Sequence, residues 1–130
     1  MTLLERQLAF HTVSPCRVVD TRGAAGPVGG PALAAGASRS FPLVNRCGIP
    51  ATAWAVSLNL AVTGPTAAGD IRIFPGGTPV PPASALNYGP GQTRAKNATV
   101  SLGPAGDVAV FCGQASGTTD FILDVNGYFQ

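Results

Sequence analysis

Residues 53–63 read AWAVSLNLAVT, and this stretch decides the fold class. Its even-numbered positions, among them Trp54, Leu58 and Val62, carry large apolar side chains, whereas the odd-numbered positions carry Ala, Ser, Asn and Thr. Successive side chains of a β-strand point to opposite faces, so this period of two predicts a strand with one face in a core. We expect the strand to be central in its sheet and Trp54 to lie in the core.

The strand lies within 23 residues, 47–69, that carry no charge and could span a bilayer as a helix. The stretch contains Gly48, Pro50, Gly64 and Pro65, and its apolar residues follow the period of a strand. We therefore predict no membrane insertion. Residues 1–10 lack a basic start and a long apolar centre, so the chain shows no signal peptide.

Glycine and proline occur throughout the chain, with 17 Gly and 12 Pro among its 130 residues. Such a composition would interrupt helices throughout, and short alternating segments recur between turn signals. The predicted fold class is all-β, either an antiparallel β-sandwich or a jelly-roll-like barrel of about eight or nine strands. We expect a single domain over residues 10–130, an arm or linker over residues 1–9, and an aperiodic loop over residues 21–37.

Charged residues make up only 11% of the chain, and the formal net charge is +2. The basic residues are scattered, so nucleic acid is not an expected partner. So few charges cannot cover the surface of the domain, which predicts a homo-oligomer, closed and preferably trimeric, held by Ala/Ser/Thr-rich strand faces. The arm would add contacts through Leu3, Leu4 and Leu8. The alternative is a monomer whose small side chains face water.

The three cysteines, Cys16, Cys47 and Cys112, follow no metal-binding spacing. A zinc site would need all three together with His11, the single histidine of the chain. A Cys16–Cys47 disulfide would instead close the long loop and stabilise the fold by roughly 3–4 kcal/mol. Cys112 continues an apolar strand face and is predicted to be a free, buried thiol. No calcium-binding loop motif occurs, and neither a metal nor a cofactor is predicted, although calcium stays an alternative.

Catalysis is not expected. A Ser-His-Asp arrangement would depend on His11, and the sequence has no G-x-S-x-G motif. A glycosidase needs two carboxylates in a cleft, and no two of the six acidic residues are adjacent.

Two places could instead hold a ligand. Tyr88, beside the turn at residues 89–91, is a candidate for stacking against a sugar ring. Asp20 and Arg22 stand two residues apart at a strand end, where they would either anchor a ligand or pin the long loop.

Several short motifs occur in order along the chain: SPCRVVDTR at 14–22, CGIPA at 47–51, GDIRIFP at 69–75, LNYGPGQTR at 86–94 and DVNGYF at 124–129. As a set, they resemble accessory β modules of secreted and cell-surface bacterial proteins. The resemblance implies a secreted or cell-surface location and a non-catalytic role. Arg94, which closes the motif at 86–94, joins Tyr88, Asp20 and Arg22 as a candidate ligand-binding residue.

Two functions of different kinds remain open at this stage. The chain is either a structural or interaction module that self-associates outside the cell, or a module that binds carbohydrate or cell wall. A cell-surface glycan is the partner that the second function would require.

Overall fold

The computed structural model describes residues 8–130, and these form nine β-strands and no helix. The all-β prediction is therefore confirmed. The strands are β1 (Phe10–Asp20), β2 (Leu33–Ala34), β3 (Ser38–Pro42), β4 (Ala55–Thr63), β5 (Gly69–Pro75), β6 (Leu86–Tyr88), β7 (Arg94–Ser101), β8 (Asp107–Cys112) and β9 (Thr118–Phe129).

Two antiparallel sheets pack around one core. The first has the order β1-β9-β4-β7, with β2 also pairing with β9, and the second has the order β3-β8-β5-β6. Residues of both sheets form one hydrophobic cluster, in which the rings of Phe41 and Phe121 stack with their centroids 5.9 Å apart. The molecule is a β-sandwich.

The strand that decides the fold class lies where its pattern predicts. β4 runs between β9 and β7, inside the first sheet. Its even-numbered residues, from Val56 to Val62, are fully buried, whereas Ser57, Asn59 and Ala61 are half-buried on the opposite face. The prediction of a central strand with one face in the core is confirmed.

The prediction for Trp54 is wrong, because this residue is only half-buried and is absent from the core cluster. It precedes β4 in a connecting segment, where its N–H donates to Phe129 O at 2.7 Å and its carbonyl accepts from Leu102 N–H at 2.8 Å. The alternating pattern runs one residue beyond the strand, so the side chain stands at the end of the sandwich rather than between the sheets.

The sequence predicts two short strands, at residues 8–13 and 16–20, on either side of Pro15, whereas the structure has the single strand β1. The register of β1 against β9 shifts between Thr12 and Cys16, which accommodates Pro15 as an irregularity in a continuous strand. The loop predicted over residues 21–37 likewise contains the two-residue strand β2. Both differences arise because pairing with β9 organises segments that have little pattern of their own.

The predicted arm over residues 1–9 falls mostly outside the described residues, and so do the proposed contacts of Leu3 and Leu4. Leu8 is half-buried, and Ala9 already exchanges two backbone hydrogen bonds with Gln130, of 2.9 and 3.1 Å. The domain boundary stays a prediction. Within residues 8–130 there is no helix with the length and apolar character needed to cross a membrane.

A disulfide joins Cys16 to Cys47, as predicted. The two residues are 31 positions apart in sequence and their Cα atoms are 5.8 Å apart, so the bond ties β1 to the turn that precedes β4. Cys112 is free and buried, which confirms the second part of the prediction. A zinc site that uses all three cysteines is excluded, because two of the three sulfurs are bonded to each other.

Candidate functional site

Asp20 and Arg22 are bonded to each other. The Arg22 Nε and Nη2 atoms each donate to an Asp20 carboxylate oxygen at 2.9 Å, and the Arg22 backbone N–H adds a third bond at 3.1 Å. Hydrogen bonds from Arg22 hold the pKa of Asp20 below its ordinary value, and the same contact raises the pKa of Arg22. The carboxylate is therefore kept ionised, but its oxygens already have donors.

The backbone around this pair folds the long loop back onto the first sheet. Asp20 N–H donates to Val28 O at 3.0 Å, and Gly23 N–H donates to Asp20 O at 3.1 Å. These bonds favour the structural interpretation, in which the Asp20–Arg22 pair pins the loop. A ligand role for the pair stays a prediction.

Tyr88 does not offer its ring to a ligand, which corrects the expectation of an exposed aromatic at a loop edge. The residue is 5% exposed, and its hydroxyl donates to Gln114 Oε1 at 2.7 Å. Burial raises the pKa of Tyr88 and also that of the neighbouring thiol of Cys112. In the strand Leu86–Tyr88 the first and third residues point inward, so Tyr88 shares the core side with Leu86.

The four candidate ligand residues do not come together in one site. Asp20 and Arg22 lie at the end of β1, whereas Arg94 begins β7 at the opposite edge of the same sheet. Three strand spacings of about 4.8 Å separate these edges. Tyr88 belongs to the second sheet and is buried.

His11, the only candidate base, stacks on Tyr128 with ring centroids 5.0 Å apart and an interplanar angle of 19°. Among the described residues, no three His, Cys, Asp or Glu side chains are grouped so that they could hold a metal ion. Neither finding identifies a reacting centre.

The edge strands of the two sheets differ in how well they are protected against pairing with a strand of another chain. The β1 edge contains Pro15 and two register shifts, the β6 edge is three residues long, and the β3 edge ends in Pro42. Arg39 of β3 also donates to the loop carbonyls of Gly26 and Pro31, at 2.8 Å each. Irregular, short, proline-containing or covered edges resist pairing with other chains.

The β7 edge has fewer of these protective features. Its eight residues pair with β4 in one continuous register, without proline or bulge. Within residues 8–130, β7 pairs with no other strand. Arg94 and Lys96 point to the inner face but are exposed, and such charges are a partial protection confined to the first half of the strand. The remaining residues of the strand, 97–101, have neither charge nor proline.

The outer face of β4 and β7 carries small, uncharged side chains. We call it the small-residue face, and its cross-strand pairs are Ser57 with Thr99, Asn59 with Asn97 and Ala61 with Ala95. Asn59 Nδ2 donates to Asn97 Oδ1 at 2.9 Å, so the central pair is linked across the strands.

Charges border the small-residue face without entering it. In the neighbouring strands, Arg17 of β1 and Asp124 of β9 form an ion pair of 2.9 Å. That contact raises the pKa of Arg17, first through its hydrogen bond to Asp124. Arg17 and Asp124 therefore neutralise each other, and the cross-strand pairs of the small-residue face carry no charge.

The sequence predicted small strand faces as contacts but did not identify this one. Each strand shows its own alternation, but the pairing of β4 with β7 joins residues about 40 positions apart, and no local pattern specifies it. The uncharged second half of β7 was the available signal for an open edge.

No family model matches the chain, and no curated protein matches it either. Among solved structures, the chain is similar to a Tobacco streak virus coat protein dimer at 2.4 Å resolution, with a TM-score of 0.44 and 11% identity over 92% of this chain and 84% of that chain. A second structure of that coat protein, a C2 crystal form at 2.1 Å, gives a TM-score of 0.39 and 12% identity over 91% and 85% of the two chains. Both TM-scores lie below 0.5.

Proposed function

We propose that this protein is a non-catalytic structural module that self-associates into a closed homo-oligomer. The observation that carries the proposal is the small-residue face together with the adjacent open edge of β7. Both include β7, so the face and the edge adjoin each other.

Removal of this surface from water carries little penalty. Burying a charge costs several kcal/mol unless it is paired, and the small-residue face contains no charge. Its short side chains also allow a second sheet to approach to the spacing of about 10 Å at which sheets pack. The open edge adds backbone donors and acceptors that another strand can satisfy.

A contact of sufficient size needs the whole outer side of the first sheet, of which the small-residue face is about half and the Arg17–Asp124 ion pair lies in the rest. Four strands about 4.8 Å apart and about 30 Å long present roughly 550 Å² there. Two such faces together bury roughly 1,100 Å², above the ~1,000 Å² expected of a specific interface. A face-on-face contact closes as a twofold pair, whereas a threefold ring needs two different surfaces, such as the small-residue face of one copy against the β7 edge of the next. The trimer predicted from the sequence is part of this proposal in that second form.

A secreted or cell-surface location is also proposed. The Cys16–Cys47 disulfide supports it, because disulfides persist in oxidising compartments. The resemblance of the motifs at 14–22, 86–94 and 124–129 to bacterial accessory modules supports the same setting. In this setting the disulfide-tied domain acts as a building block rather than as a catalyst.

Sedimentation equilibrium at micromolar concentration tests the proposal. The protein is expected at two or three times the 13.1 kDa of one chain. Thr99→Arg places a long charged side chain on the small-residue face and is expected to return the protein to one chain mass. A wild-type protein that sediments as a single chain would refute self-association.

A matched control is Ser40→Arg, which makes the same kind of change at an exposed position on β3 of the other sheet. It is expected to keep the wild-type mass. A full-length Leu3→Asp/Leu4→Asp variant tests the arm separately, and a reduced mass is expected if the arm packs on a neighbour. Loss of assembly in Ser40→Arg alone would place the contact on the second sheet.

A further inference from the structure

The backbone of β7 is open to pairing along one side. Residues 94–101 pair with β4 on the other side, and within residues 8–130 no further strand and no loop backbone bonds to them. Residues 94–97 are exposed on both faces of the strand. A row of unpaired N–H and C=O groups is a template on which an extended segment of another chain can add a strand.

The start of β7 carries two cations without an acidic partner. Arg94 and Lys96 are exposed and lie on the side of the strand that faces the core. The ion pairs within residues 8–130 involve other arginines, in Arg17–Asp124, Arg22–Asp20 and Arg72–Asp70. Neither cation of β7 has an ion pair in this part of the chain. A segment that brings a carboxylate to this point of the edge is therefore favoured by charge complementarity.

The same side of β7 becomes apolar toward the end of the strand. Val100 is 7% exposed and belongs to the core cluster, and Ala98 packs partly buried against that cluster. From Ser101 back to Arg94, this side thus presents apolar residues first and cations afterwards. An antiparallel partner strand should carry its apolar residues first and an acidic residue after them.

Residues 1–7, which lie outside the described residues, have this pattern in their sequence. They read MTLLERQ, so Met1, Leu3 and Glu5 follow one another at intervals of two. Side chains at that interval point to one face of a strand. Seven extended residues span about 24 Å, close to the length of the eight-residue strand β7.

Residues 1–7 of the same copy are too far away to cover this edge. Ala9 is still bonded to the backbone of Gln130, and Phe10 lies in one row with Ser101, reached through β9 and β4. The chain would have to cross three strand spacings of about 4.8 Å, which uses about four extended residues. Only about three residues would remain to pair with β7. The segment that fills the edge must come from a second copy.

We propose that residues 1–7 of a second copy add an antiparallel strand to the open edge of β7, with Glu5 opposite Lys96. In this register Leu3 lies opposite Ala98. The proposal rests on the self-association proposed above and names the two surfaces that meet. Each copy gives one segment and accepts one, so the assembly closes as a reciprocal pair or as a ring.

Charge reversal in the full-length chain tests the contact. Glu5→Lys and Lys96→Glu each place like charges opposite one another, and each should raise the protein concentration at which half the chains are assembled about fivefold. The double variant Glu5→Lys/Lys96→Glu restores opposite charges and should return this concentration to near the wild-type value. Sedimentation equilibrium measures all four proteins. A general loss of folding would not be rescued by the second reversal.

Cross-linking tests the register. Leu3→Cys/Ala98→Cys should form a disulfide between chains, because residues opposite each other in a sheet have their Cα atoms within the ~4.4–6.8 Å that a disulfide requires. Leu3→Cys/Ala95→Cys is the matched control, and it should remain uncross-linked because residue 95 lies three positions along the strand and on the other face. Non-reducing electrophoresis separates linked from single chains.

The outcomes separate this proposal from self-association itself. A wild-type protein that sediments as one chain refutes both. An assembled wild type whose mass responds to neither reversal overturns only the strand addition, and so does a Leu3→Cys/Ala98→Cys protein that stays at one chain mass. Equal cross-linking of the control overturns it as well, because the segment would then contact β7 without a fixed register.

Discussion

The Thr21 hydroxyl accepts the backbone N–H of Phe121 at 2.8 Å, while the Thr21 N–H donates to Phe121 O at 3.0 Å. The same hydroxyl donates to Asp120 Oδ1 at 2.9 Å. Thr21 is 4% exposed, so one buried residue at the start of the long loop extends the pairing of β1 with β9 beyond the end of β1. Thr21 and Phe121 are 100 positions apart in sequence, so the contact joins the N-terminal strand β1 to the C-terminal strand β9.

Replacement of Thr21 by valine keeps the shape of the side chain and removes its hydroxyl. The Phe121 N–H would then be buried without an acceptor, and we expect the free energy of unfolding to fall by about 1–3 kcal/mol. Urea denaturation measures the change. Thr21→Ser retains the hydroxyl and should lose less, so equal stability of the valine variant and the wild type would contradict this role.

Removal of the disulfide should destabilise the domain more strongly. A Cys16→Ser/Cys47→Ser variant frees a loop that spans 31 positions, and the chain-entropy model gives a loss of roughly 3–4 kcal/mol. Guanidinium denaturation measures it. Reductant should lower the guanidinium concentration at the unfolding midpoint of the wild type and leave that of the double variant unchanged. A reductant effect on both proteins would show that the loss of stability has another origin than the disulfide.

Leu58→Asp should unfold the domain. Leu58 is fully buried in the middle of β4, and an unpaired carboxylate at that position costs several kcal/mol. Far-UV circular dichroism and chemical denaturation provide the readout. Ser40→Asp introduces the same side chain at an exposed strand position and should remain folded, whereas a folded Leu58→Asp protein would contradict the position of β4 in the core.

The fold class could be predicted because it depends on local alternation. Four large apolar residues at period two in residues 56–62 define one buried face whichever strands lie beside it. The Cys16–Cys47 pairing was also accessible, since both residues border the long loop. The strand order could not be predicted, because β4 pairs with β9 and β7, and neither of these strands is next to it in sequence.

The errors about the aromatic residues have one cause. Tyr88 lies beside a Gly-Pro-Gly turn and Trp54 begins an apolar run, so composition suggested an exposed and a buried ring respectively. Burial depends instead on where each strand ends. β6 includes Tyr88 and points it inward with Leu86, while β4 begins one residue after Trp54. Tyr88 is buried because it points to the same side as Leu86, and Trp54 is not because β4 begins after it.

The buried pair of Tyr88 and Cys112 should make the domain sensitive to alkali. The Tyr88 hydroxyl and the Cys112 thiol both lie beside Gln114 Oε1, at 2.7 and 3.6 Å, and burial raises the pKa of each group. In the unfolded chain a thiol ionises near pH 8.5 and a phenol near pH 10. Above these values the unfolded state releases protons that the folded state retains, so stability must fall as pH rises.

We therefore expect the free energy of unfolding to decrease from about pH 8.5 upward, and more steeply above about pH 10. Each group contributes at most about 1.4 kcal/mol per pH unit while its unfolded form is ionised and its folded form is not. Denaturation midpoints measured from pH 7 to 11 provide the test. Cys112→Ala removes the first group and should flatten the curve between about pH 8.5 and 10, with the fall above pH 10 retained because Tyr88 remains. A wild-type stability that is constant across this range would show that neither hydroxyl nor thiol is held neutral by the fold.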